Sequence, residues 1–176
     1  MPTPDRRLSP YGAGSTFLFH AAPSDRLRLY GPFGTFHATD SEREMVFIGG
    51  GAGMAPLRAI ILDQLRNQRT QRRIHYWYGA RSGLELYYAD DFVRLAREFR
   101  NFSWHPALSE ANPGGVPVHT GHIHEVVLRE FLASHADPTT CDYYLCGPPV
   151  MLDACRKMLR ALHVPDEQVF FDDFGN

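Results

Sequence analysis

From residue 45 onward, short apolar runs alternate with longer stretches whose apolar residues recur every three or four positions. The runs Met45–Gly49, Ile74–Tyr78, Phe102–Leu108, Tyr143–Cys146 and Val169–Asp172 are predicted strands, apolar throughout or nearly so. Between the first two, Leu57–Gln68 carries apolar residues at 57, 60, 61 and 65, the stripe of a helix lying on a sheet. Asp91–Phe99 repeats the stripe with Phe92, Leu95, Ala96 and Phe99, and Ile123–His135 and Met151–Leu162 continue it. Ser109 to Thr120, with its Gly, Pro and Asn, reads as a loop. Such alternation needs right-handed crossovers. It predicts a doubly wound α/β domain: a five-stranded parallel sheet with helices on both faces.

The beginning of the chain breaks this rhythm. Thr16–His20 and Arg26–Tyr30 are predicted β segments around a loop, and Gly31-Pro32-Phe33-Gly34 is a predicted turn. Some thirty residues cannot bury a core of their own. The expected division is therefore 1–40, the end of a neighbouring β-rich domain, and 41–176, the α/β domain. On this reading the chain is incomplete at its N-terminus relative to a larger protein.

Composition narrows the classes. The chain has 176 residues, 44% hydrophobic and 22% charged, as in an ordinary globular domain. Its net charge of −2 and lack of a basic block argue against nucleic acid as a ligand. No apolar run approaches the roughly 18 residues of a membrane span, and the polar, proline-bearing N-terminus is not a targeting helix. Three cysteines, Cys141, Cys146 and Cys155, without C-x-x-C spacing, fit neither a disulfide framework nor a metal cluster, and point to a reducing compartment. The nine histidines include His119, His122 and His124, but their spacing is not that of a helical zinc pair; no metal is expected.

The densest signal lies after the first strand. Gly49-Gly50-Gly51-Ala52-Gly53-Met54-Ala55-Pro56 runs straight into the first helix. Glycines let backbone N–H groups approach a phosphate, and the helix N-terminus then favours the same anion. Pro56 is expected at the first helical position, whose N–H has no partner in any case. No Lys follows the glycines, so a Walker-type ATP site is not expected. A second stiff loop, Cys146-Gly147-Pro148-Pro149, leaves the fourth predicted strand. In a doubly wound sheet the first and fourth strands adjoin where the order reverses, so both loops should border one dinucleotide cleft.

These residues resemble the pyridine-nucleotide domain of the ferredoxin–NADP reductase superfamily, through the G-x-G-x-x-P turn Gly51–Pro56, the Cys146–Pro149 loop and a C-terminal aromatic. Phe47–Arg58, Tyr76–Ser82, Trp104–Ser109 and Phe171–Gly175 extend the likeness to the F component of sodium-translocating NADH:quinone oxidoreductases, over about residues 12 to 176. The resemblance implies a reductase module that binds NADH and passes hydride to FAD in a preceding β-barrel domain. Electrons would then leave through a [2Fe-2S] centre to quinone, in a sodium-pumping complex on the cytoplasmic side of a bacterial inner membrane. The implied partners are NADH, the flavin and iron–sulfur domains of the same protein, and the other subunits of that complex. Gly12 and Ser15 match the family's G-x-x-S element, at a helix start near the flavin pyrophosphate. The family's Arg-x-Tyr/Phe-Ser flavin motif, cluster cysteines and membrane helix are absent from this sequence. The chain is accordingly expected to hold FAD weakly or not at all.

The resemblance also assigns roles. Gly51, Ala52, Gly53, Met54, Ala55 and Pro56 receive the pyrophosphate, and Gly147, Pro148, Pro149 and Met151 form the facing wall. Cys146 stands beside the reacting nicotinamide carbon as a positioning thiol, the other reading being a buried structural cysteine. Asp172 is an active-site acid for orientation or proton supply, or else an exposed C-terminal acid. Phe174 covers the flavin ring. Arg81 and Ser82 end the second strand, where the adenosine ribose is read; no acid stands at that strand end. Arg81 either accepts a 2′-phosphate or pairs with Glu85, so the residues leave NADH and NADPH both open while the resemblance favours NADH. Two further functions stay open: the reductase component of a soluble oxygenase, and a nucleotide-binding module without electron transfer.

Overall fold

The structure, a computed structural model, describes residues 12–31, 33–110 and 117–173. The chain divides into two compact units, up to Thr35 and from Phe36 onward.

In the first unit, helix α1 (Ala13–His20) starts after Gly12, whose carbonyl accepts the Thr16 N–H at 2.8 Å. The His20 ring closes its last turn on the Thr16 carbonyl at 2.8 Å. Thr16–His20, expected as a β segment, is thus helical. The run Thr-Phe-Leu-Phe-His is too short for its period to decide between helix and strand. Arg26–Tyr30, the other expected β segment, forms no strand: its Leu27 and Leu29 alternate with arginines, but no described strand pairs with it. Pro32 of the expected turn lies outside the described residues.

The second unit is built on a parallel sheet in the order β4-β3-β2-β1-β5-β6. Its strands are β1 (Glu44–Gly50), β2 (Ile74–Ala80), β3 (Phe102–Leu108), β4 (His119–Thr120), β5 (Cys141–Cys146) and β6 (Val169–Asp172). The sheet has six strands rather than the expected five. The extra one, β4, is two residues long within the stretch read as a loop, pairing His119 with Ala107 and Thr120 with Leu108. Two residues carry no periodicity to read.

Helices α2 (Met54–Leu62) and α3 (Ala89–Glu98) cover one face, and α4 (Ile123–Glu130) and α5 (Pro149–Ala161) the other. Alternate residues of β1 serve the two cores. Met45 and Phe47 pack with Leu57, Ile61, Phe92 and Tyr144, whereas Val46 and Ile48 pack with Val126, Val127, Tyr143 and Leu159. Burial on both faces explains the unbroken apolar runs. Trp77, Tyr78, Tyr143 and Tyr144 are all core, and Trp104 is partly buried against it.

Several helix ends differ from the sequence expectation. α2 begins at Met54, making Pro56 its third residue. That is still within the first turn, where the N–H has no intrahelical partner. Beyond Leu62 the chain continues as one π-helical turn, Asp63–Asn67. α3 begins after Tyr88, which holds a left-handed φ of +55°, so Asp90 lies inside the helix. α4 stops at Glu130, and Leu132–Ser134 forms a 3₁₀ turn.

At the N-terminal end of the strands, a buried ion pair anchors the segment leading into β1. Asp142 accepts from Arg72 Nη2 at 2.7 Å, Thr39 Oγ1 at 2.8 Å and Ser41 Oγ at 2.5 Å. Arg72 also donates to the Thr39 and Arg43 carbonyls. The guanidinium thus meets a counter-charge and two carbonyls, the condition under which a buried charge is tolerated.

Candidate active site

The order of the sheet reverses between β1 and β5, and there the two glycine loops meet. Gly49 pairs in register with Cys146, and Cys146 with Asp172 on the next strand. From Gly50 the chain turns through Gly51–Gly53, with Gly51 at φ +55°, directly into α2. From Cys146 it passes Gly147 and Pro148 into α5, whose first residue is Pro149. No side chain caps the start of either helix. Pro56 and Pro149 carry no N–H, and the N–H groups of Met54 and Met151 already bond the Gly51 and Ala52 carbonyls and the Pro148 carbonyl, so an anion here would be favoured by the helix N-termini rather than by a row of free amides.

Contact between the loops is backbone to backbone. A Cβ on Gly53 would overlap the Cys146 carbonyl oxygen, and one on Gly147 would stand 3.1 Å from Gly50 N and O. The glycines of this turn are thus required by close approach, and side chains large enough to fill the cleft floor are excluded. Met54 is buried in the core and offers the cleft only its backbone, while Ala52 and Ala55 are exposed. Met151 lies over the seam: a Cβ on Gly50 would be 2.8 Å from its Sδ.

Cys146 is buried, and burial pushes its thiol up to about 12, with the charges of Asp172 and Asp173 adding to the shift. It is a neutral thiol at ordinary pH and no nucleophile. Asp172 is half-buried at the end of β6, and Phe174 lies outside the described residues. Gly12 and Ser15 stand at the start of α1 in the other unit.

At the end of β2 the structure shows the second of the two readings of Arg81, its pairing with Glu85, which brings an acid to a strand end where none was expected. Arg81 is exposed, and its guanidinium is held by Glu85 at 2.7 Å. The Arg81 backbone N–H also donates to the Glu85 carboxylate at 3.2 Å. The 3₁₀ turn Gly83–Glu85 folds this carboxylate back to the strand end, beside Ser82, which opens the turn. Tyr78, read only as core, joins the two regions: its hydroxyl faces the Gly51 carbonyl at 3.1 Å and the Glu85 carbonyl at 3.2 Å.

His75 and His135 lie toward the opposite end of the sheet, around Glu44 at the start of β1. Among the described residues, Glu44, His135 and Cys141 bring donor atoms within 4.8 Å of one another. The Asp137 N–H donates to His135 Nδ1 at 3.2 Å, so the ring proton sits on Nε2 and faces Glu44 at 3.2 Å. A metal would need that Nε2 lone pair. His75 bridges Glu44 and Ser103, and His105 bonds Ser103 and stacks on Trp77 at 4.0 Å. These groups form a hydrogen-bonded network. His122 and His124 stack on each other at 6.1 Å, away from it.

The oxidoreductase NAD-binding domain family matches residues 47–157, a span that contains both loops. This chain belongs to that family. It is also 48% identical over 176 residues to the F component of the Na(+)-translocating NADH-quinone reductase of Neisseria meningitidis, covering 98% of this chain and 44% of that protein. The chain thus spans under half the length of that relative. Among solved structures it is similar to the cytochrome P450 reductase of Amycolatopsis, with a TM-score of 0.71 and 28% identity over 82% of this chain and 42% of that one. The cytochrome b5 reductase domain of Ulva prolifera nitrate reductase shares the fold, with a TM-score of 0.75 at 20% identity over 92% of this chain and 64% of that one. Family members in this sense are oxidoreductase domains with a ferredoxin reductase-like fold. Among the described residues no helix is long and apolar enough to cross a membrane.

Proposed function

We propose that the cleft between Gly51–Pro56 and Cys146–Pro149 binds NADH and presents its nicotinamide for hydride transfer to a flavin held elsewhere in a larger protein. The observation that carries this reading is the contact of Gly53 with the Cys146 carbonyl, which joins an anion-receiving turn to a buried neutral thiol. The pyrophosphate would lie at the N-terminal end of α2, and Cys146, buried beneath its loop, would fix the distance of the nicotinamide through the loop it supports, without taking part covalently. Asp172, in register with Cys146, would orient the ring from β6; Phe174 would follow at the chain end. Glu85 would accept from the ribose 2′-OH and, by its charge, disfavour a 2′-phosphate, which makes NADH the preferred nucleotide.

Gly12 and Ser15 sit at the start of an eight-residue helix, and the first unit contains no described strand. On this reading the flavin, which accepts a hydride and releases electrons singly, is held by the additional length that the Na(+)-translocating reductase relatives possess. On the same ground the [2Fe-2S] centre, quinone, the sodium-pumping partners and the inner-membrane setting belong to the full-length protein. Residues 1–40 would be the end of the flavin domain and 41–176 the NADH domain.

The test is Cys146→Ala in the full-length flavoprotein, read by stopped-flow flavin reduction. A hydride-positioning thiol predicts that the reduction rate falls at least ten-fold while the NADH Kd moves less than three-fold. Equal losses in both would favour a simple binding module.

A further inference from the structure

The seam between the two loops is closed by a thioether. Met151 lies with Sδ over Gly50 and Cε over Gly147: Cβ atoms on those glycines would stand 2.8 Å and 2.6 Å from them. It is also the half-exposed one among the described methionines, since Met45, Met54 and Met158 are 0%, 5% and 9% exposed. Cys141, Cys146 and Cys155 are all buried. Burial holds their thiols at about 11, 12 and 12, so little thiolate exists near neutral pH to react with an oxidant. Soft sulfur is therefore accessible at Met151 and withheld at every cysteine.

We propose that Met151 is a site of oxidation by hydroperoxides, and that its sulfoxide closes the cleft to the nucleotide. The inference rests on the cleft being the NADH site. In the reaction a sulfur lone pair attacks one peroxide oxygen, an S–O bond forms and the O–O bond breaks. The departing oxygen takes the remaining peroxide proton and leaves as water, or as an alcohol from an organic hydroperoxide. Sulfur loses two electrons and the peroxide gains them. Packing decides where the new oxygen goes. The glycine sides of the thioether are filled, so the S–O bond must project outward into the cleft. There its negative end meets the approaching pyrophosphate, and the stiffer, polar side chain no longer fits the seam.

The experiment oxidises the purified chain with hydrogen peroxide at neutral pH, in steps, with and without saturating NADH. Peptide mass mapping follows each methionine, and calorimetry measures NADH affinity at each step. Met151 should gain one oxygen before Met45, Met54 and Met158, and bound NADH should slow that gain at least five-fold. NADH affinity should fall ten-fold or more in proportion to Met151 oxidation. It should return on treatment with the two methionine sulfoxide reductases, one for each epimer. Earlier oxidation of Met45, Met54 or Met158, or unchanged affinity of a Met151-oxidised chain that bound NADH beforehand, overturns this inference alone. An untreated chain that binds no NADH overturns the functional reading and this inference with it.

Discussion

Gly53 lies beneath the carbonyl of Cys146, with no room between them for a Cβ. The Gly51–Pro56 turn and the Cys146 loop are therefore packed as one piece, although 93 positions separate Gly53 from Cys146 in the chain. Gly53→Ala forces them apart. Overpacking of this kind costs about 3 kcal/mol, and a thermal melt of the variant should show a drop of several degrees. The same variant should bind NADH at least ten-fold more weakly. An unchanged melting temperature would mean that the loops do not touch as described.

The Arg81–Glu85 pair gives a specificity prediction. Glu85→Gln removes the charge that occupies Arg81 and repels a 2′-phosphate, so NADPH affinity should rise about ten-fold, the worth of one charge-assisted contact. NADH affinity should change less than three-fold. Calorimetric titration with both nucleotides decides; a variant that still rejects NADPH would place discrimination elsewhere.

The thiols set an alkaline limit. Their ordinary value is 9.0, and burial raises Cys141 to about 11 and Cys146 and Cys155 to about 12. Between those values the unfolded chain loses protons that the folded chain keeps. The stabilisation is thus complete below about pH 9 and declines as pH rises toward 12. Urea midpoints at pH 8, 9, 10 and 11 should fall steadily above pH 9, and none of the three thiols should react with an aromatic disulfide at pH 8 until urea is added. Rapid reaction of the native chain would contradict the burial of Cys146.

Asp142 and Arg72 hold the segment that leads into β1. Asp142→Asn leaves Arg72 buried without its counter-charge, at a cost of about 3 kcal/mol. Denaturant unfolding should register that loss, whereas NADH affinity, set at the other end of the strands, should hold within two-fold. A variant as stable as the parent would show that the pair is dispensable.

The architecture was legible because burial on both faces writes β1, β2, β3 and β5 as apolar runs, and because Gly51–Pro56 and the Cys146 loop fall after strands that adjoin at the reversal. What escaped reading depends on partners rather than on pattern. β4 is two residues whose identity as a strand comes only from pairing with Ala107 and Leu108. Thr16–His20 has the composition of a strand but becomes a helix, with no described strand to pair with. The pairing of Glu85 with Arg81 was one of two readings, but that it brings a carboxylate to the end of β2 depends on the 3₁₀ turn that folds it back, and Tyr78 looks like any core tyrosine until its hydroxyl is seen between two carbonyls.

The central claim is that the two loops form one NADH site. The direct measurement is an amide NMR titration of the purified chain with NADH, with ATP as the control. Saturable shifts should concentrate at Gly51, Gly53, Cys146 and Gly147, with weaker ones at Glu85, and ATP should not reproduce the Cys146 and Gly147 shifts. No saturable change at these amides, or shifts confined to one loop, would contradict the account.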